Sequence, residues 1–127
     1  MDKYGFVDLG KLLSDKDIIA TNNRLKEIQD QEGDRAGAEL FDSKYIRHPK
    51  EEGADRLADL VNKGSLFDIF YTHPKVLAGI SSVLAYDYKL SSLNYRAALP
   101  GQGLQNLYVD WKDGIADGNY KVCSSIW

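Results

Sequence analysis

A chain of 127 residues with a formal net charge of −3 has the size of one domain with one core. Its 43% hydrophobic and 28% charged residues fit an ordinary soluble globular protein rather than a disordered one, and the acidic balance excludes the basic footprint that nucleic acid or anionic lipid requires. No apolar run approaches the roughly 20 residues of a membrane span. The opening Met1-Asp2-Lys3-Tyr4-Gly5 lacks the apolar core of a signal peptide, and the single Cys123 forms no internal disulfide. The expectation is a cytoplasmic chain with no membrane and no nucleic-acid partner.

Tyr4 to Leu9 reads as a short strand closed by Gly10. Ser14 is placed as a helix N-cap, with Asp17 standing in for the capping-box glutamate. The helix that follows carries Ile18, Ile19, Leu25 and Ile28 towards the core and stops at Gly33. Asp34 to Glu52 has glycines, charges and a His48-Pro49 step without a sustained period, and reads as loop. The stripe Leu57, Leu60, Val61 predicts a second helix from about Ala54 to Lys63, with Gly64 as its C-cap. A helical turn over Leu66 to Tyr71 follows. Thr72-His73-Pro74 then opens a third helix, with Pro74 in its first turn and Val76, Leu77, Ile80, Val83 and Leu84 on its apolar face.

After Ala85 the character changes. Tyr86 to Leu99 reads as one long strand or a bent pair, broken by Pro100-Gly101-Gln102-Gly103. Asn106 to Trp111 is a further strand, Lys112 to Asn119 a polar loop, and Tyr120 to Trp127 a last strand. Such a sheet is incomplete alone and leaves an edge to be paired. The expected partner is a second copy of the chain or a complementing C-terminal half.

The ordered series from Lys89 to Leu107, through Tyr108-Val109-Asp110-Trp111 to Val122-Cys123-Ser124-Ser125-Ile126-Trp127, resembles the phytanoyl-CoA dioxygenase family. Upstream, Lys63-Gly64-Ser65-Leu66-Phe67 and Tyr71 to Leu77 look like the helical region before that family's barrel. The likeness spans nearly the whole chain but only about the first half of a typical member. It implies a ferrous iron and 2-oxoglutarate dependent oxygenase acting on a small organic molecule, on a double-stranded β-helix of the jelly-roll kind. The fold expectation is therefore α+β in a single partial domain, 1–127. An N-terminal strand and helical layer (1–85) packs on the first core strands (86–127).

The resemblance also sets the site. Oxygenases of this kind hold iron by two histidines and a carboxylate, the first histidine and the carboxylate at i and i+2 of a strand so that both face inward. Asp110 matches the carboxylate, while Tyr108 stands where the histidine is expected. Phenolate oxygen favours ferric over ferrous iron and forms only after loss of a proton from a weak acid. The second histidine and the arginine for 2-oxoglutarate belong to strands further along than this sequence runs. The expectation is that iron and 2-oxoglutarate, implied by the resemblance, are not bound by this chain alone. Asn94 and Arg96 share a strand face and are candidates for the cofactor. Asn106 shares one with Tyr108 and Asp110.

Other features have plainer readings. His48 and His73 precede prolines and suit turns and caps; Gly101-Gln102-Gly103 opens no helix and is a turn rather than a phosphate loop. Asp113 and Asp117 fail the calcium-loop spacing, and Cys123 reads as a small buried residue. Three functions stay open: a descendant of the oxygenase family inactive as this chain, an oxygenase completed by a second half, and a non-catalytic self-associating module.

Overall fold

The computed structural model describes residues 4–42, 44, 50–85, 87–108 and 118–127. Helix α1, Asp15–Glu32, begins at the expected capping box. The Ser14 hydroxyl accepts from the Asp17 N–H at 3.2 Å, and the Asp17 carboxylate accepts from the Ser14 N–H at 3.3 Å. The Ser14 hydroxyl also donates to the Asp17 carboxylate at 2.6 Å, and this bond, with the one from the Ser14 N–H, holds the carboxyl below its usual range. The helix ends at Gly33, whose φ of 51° lies in the left-handed region. Its buried stripe is Thr21, Leu25 and Ile28. Ile18 continues that stripe by spacing and Ile19 lies off it; both are exposed, against expectation.

The expected loop after α1 carries a 3-10 turn, Gly33–Arg35, and a one-turn helix α2, Ala38–Phe41. The expected helix at 54–63 is instead strand β1, Ala54–Leu57, followed by a 3-10 turn, Leu60–Asn62. Asp59 separates them with φ 52°. Its N–H donates to Asn94 Oδ1 at 3.3 Å, and the Asn62 side-chain amide donates to its carboxylate at 2.9 and 3.0 Å. A strand and a kinked turn bury Leu57, Ala58 and Leu60 as well as a helix would, which is why the apolar spacing misleads.

The partner of β1 is β2, Tyr95–Ala98, antiparallel, with Leu57 opposite Tyr95 and Arg56 opposite Arg96. Alternation places Leu57 and Tyr95 on one face and the two arginines on the other. Leu57 joins Leu25, Ile28, Leu60 and Phe67 in the core, with Ala36, Phe70, Leu93 and Tyr95 packed against it. Between the sheet and the last helix run a 3-10 turn, Ser65–Phe67, and helix α3, Ile69–Thr72, matching the expected helical turn. Helix α4, Pro74–Leu84, has Pro74 in its first turn and His73 as its cap, the Nδ1 accepting from the Lys75 N–H at 3.2 Å.

The fold is thus α+β, helices with a two-stranded antiparallel sheet. Three expected strands are corrected. Residues 4–9 form a turn and an unladdered stretch in which Tyr4, Phe6 and Val7 are exposed. Of the core strands expected over 86–127, the described residues form a ladder at Tyr95–Ala98. Residues 106–108 and 120–127 are irregular, with Leu104, Leu107 and Ile126 fully exposed. A pattern of apolar residues becomes a strand only where a second edge takes its N–H and C=O groups. Trp127 does find a place, its ring 5.0 Å from Phe70 and 6.1 Å from His73, edge-on to both.

Candidate functional site

Two arginines opposite one another on a ladder repel unless an anion lies between them. Glu51, just before β1, supplies it. Its carboxylate accepts from Arg96 Nε at 3.0 and 3.1 Å, from Arg96 Nη2, and from Arg56 Nη1 at 3.0 Å. Arg96 Nη2 also donates to the Gly103 carbonyl at 2.5 Å. The Glu51, Arg56 and Arg96 side chains are 17%, 24% and 25% exposed, so the cluster is shielded though not sealed. The Arg96 hydrogen bond, reinforced by both guanidinium charges, holds the Glu51 carboxyl below its usual range. Glu51 in turn raises Arg96.

The backbone around this clamp is close-packed. The Leu99 N–H donates to the Gly53 carbonyl at 2.9 Å. A Cβ on Gly103 would lie 2.6 Å from that same carbonyl oxygen, and one on Gly53 2.8 Å from Gln102 Cβ. Only residues without a side chain let the 51–53 and 102–103 segments cross here, and both have positive φ (80° and 67°). Arg96 reaches Glu51 across the β1–β2 ladder, and the crossing sets the Gly103 carbonyl against Arg96 Nη2.

The residues singled out from sequence are therefore dispersed. Arg96 is engaged by Glu51 and Gly103. Asn94 accepts from Asp59 and fixes the bend after β1. Asn106 is exposed outside any ladder, so the shared face inferred for it with Tyr108 does not form over 106–108. Tyr108 is 72% exposed. Asp110, like His48, Asp113 and Asp117, lies outside the described residues. Among the described residues no three His, Cys, Asp or Glu side chains gather as metal ligands. An exposed phenol outside any ladder does not fit ferrous iron.

Sequence reasoning missed Glu51 and Arg56. Their one signal is the ladder register that sets Arg56 against Arg96, which no local pattern reveals. It also missed a second cluster, where Lys63 bridges Glu32 of α1 and Glu39 of α2, the latter at 2.9 Å. Burial lowers the Lys63 ammonium, but the two carboxylates outweigh it and the net direction is up. The second Glu32 oxygen is buried with no partner among the described residues. Cys123 is half-buried, and burial pushes its thiol up, away from the nucleophile range.

A cavity of about 640 Å³ lies beside the clamp, bounded by α1, the 33–41 segment and β1, with Glu51 and Arg56 in its wall. Among the described residues no helix is long and apolar enough to cross a membrane. No protein-family model, curated protein or solved structure matches the chain.

Proposed function

We propose that this chain corresponds to the N-terminal part of a phytanoyl-CoA dioxygenase-like fold, of jelly-roll descent, that works as a scaffold rather than as an iron enzyme. The family reading rests on the ordered sequence series from Lys63 to Trp127. The non-catalytic reading rests on one observation: Arg96, the cationic candidate for 2-oxoglutarate, is committed to Glu51 and the Gly103 carbonyl. The phenol at 108 supports it. Iron and 2-oxoglutarate belong to the ancestral hydroxylase of small organic molecules, not to this chain.

The test is an anaerobic titration of the chain with ferrous iron and then 2-oxoglutarate, followed by absorption. The expected result is no metal-to-ligand band. A saturable band from the unaltered chain would overturn the proposal, and Tyr108→His with a supplied C-terminal half is the reconstruction expected to gain one.

A second reading, an exposed surface built for a partner, is favoured by Leu104, Leu107 and Ile126, which stand fully in solvent. It expects a defined dimer, or a complex with a complementing half, by light scattering. A monomer at all concentrations argues against self-association.

A further inference from the structure

We propose that Arg56 and Arg96 form a binding site for an organic acid with an apolar body, and that Glu51 occupies that site from within the chain. The inference stands on the geometry of the clamp and does not depend on the family resemblance.

Arg96 presents Nε and Nη2 side by side to the two oxygens of one carboxylate, the planar fork that suits this group better than a point charge would. Arg56 adds Nη1 to the second oxygen. The site therefore selects a carboxylate by shape, and Glu51 shows how one sits in it. One donor remains unused: Arg56 Nε is buried and has no partner among the described residues. A ligand oxygen could satisfy that donor, which Glu51 leaves unmet.

The adjoining cavity gives such a ligand room. Its volume of about 640 Å³ lies in the range of small-molecule sites, and Leu25, Phe41 and Tyr95 contribute apolar wall. With the Glu51 carboxylate removed, Lys26, Lys50 and Arg56 balance Asp30, Asp34 and Asp55 around it. The wall, Arg56 included, is then close to neutral, and Arg96, which stands outside the wall, supplies the unbalanced positive charge that sets the sign of the ligand. Because Glu51 is tethered, it competes at high effective concentration, and a free acid enters only when Glu51 withdraws.

The experiment uses the full chain, unaltered and as Glu51→Ala, titrated with benzoate by calorimetry and by thermal unfolding at constant ionic strength. Benzyl alcohol controls for the apolar body and chloride for charge alone. The expected result is saturable benzoate binding about tenfold or more tighter in Glu51→Ala than in the unaltered chain, with a selective rise in melting temperature. The gain should vanish in Glu51→Ala/Arg96→Gln. Equal responses in both chains, a response to benzyl alcohol matching that to benzoate, or binding retained in the double variant would each overturn the proposal. Should Glu51→Ala fail to fold alone, the same titration is read as refolding by circular dichroism. Recovery with benzoate but not chloride supports the site, and no recovery overturns it.

Discussion

Replacing Gly103 by alanine tests the crossing that holds the arginine clamp together. The added Cβ would stand 2.6 Å from the Gly53 carbonyl oxygen and 3.1 Å from Ala98 Cβ, at a backbone φ of +67°. The left-handed conformation alone costs an alanine roughly 1 kcal/mol. Partly separating the two segments removes the Leu99–Gly53 hydrogen bond at 2.9 Å, roughly 1 kcal/mol net, and the overpacking that remains costs roughly 1–2 kcal/mol more. The total is about 3–4 kcal/mol. Gly101 provides the internal control: its φ of +71° is similar, but a Cβ there meets nothing within 4 Å. Gly101→Ala should therefore cost only about 1 kcal/mol, and the unfolded-chain effect of glycine to alanine is common to both. Urea unfolding of the two variants, followed by far-ultraviolet circular dichroism, measures the difference directly. A gap of about 2 kcal/mol is expected. Equal costs at positions 101 and 103 would refute the close crossing and, with it, the seat of the Gly103 carbonyl against Arg96.

Phe67 is fully buried at the centre of the core, so Phe67→Ala should destabilise the chain by about 3–4 kcal/mol in the same assay, and Phe67→Leu by much less. Lys63→Met leaves Glu32 and Glu39 facing one another without their cation; the partial exposure of Glu39 reduces the expected loss to about 2 kcal/mol, and adding Glu32→Gln should recover part of it. Acid sensitivity follows from the carboxyls of Asp17, Glu39 and Glu51, each lower in the folded chain than its ordinary value. Folded-state values below the unfolded ones give stability that is fully present above the ordinary carboxylate range and lost as pH falls through the depressed values. Unfolding midpoints should therefore drop below about pH 4, the ordinary carboxylate range. Glu51→Gln should flatten that dependence, and a profile unchanged by the substitution would count against the clamp.

What the sequence made legible was local. Ser14 with Asp17, and His73 with Pro74, define helix starts through atoms within a few residues of one another, and both caps form as expected. The buried stripe of α1 likewise follows from helical period. The stretch 54–63 failed because Leu57, Leu60 and Val61 satisfy a helical spacing while a left-handed Asp59 breaks the chain between them. Its true state depends on Asn94 and Leu93, whose carbonyl accepts from the Leu60 N–H at 3.0 Å, more than thirty residues away. The strands expected at 4–9, at 106–111 (over its described residues 106–108) and at 120–127 failed for a related reason, since alternation describes a face but supplies no partner edge. Arg96 was found for a cofactor and is held by Glu51, a residue in a segment that reads as loop. Long-range pairing of single charges leaves no period or motif, so this part of the site was not legible beforehand.

The central claim is that in the unaltered chain Glu51 holds Arg96 against 2-oxoglutarate, an acid without the apolar body proposed for the site's ligand. The most direct measurement follows the Arg96 side-chain Nε–H resonance of the unaltered chain by nitrogen-edited NMR as 2-oxoglutarate is added. The account predicts a hydrogen-bonded, slowly exchanging signal that does not move with the keto acid and is lost in Glu51→Ala. A saturable shift of that resonance in the unaltered chain would contradict it.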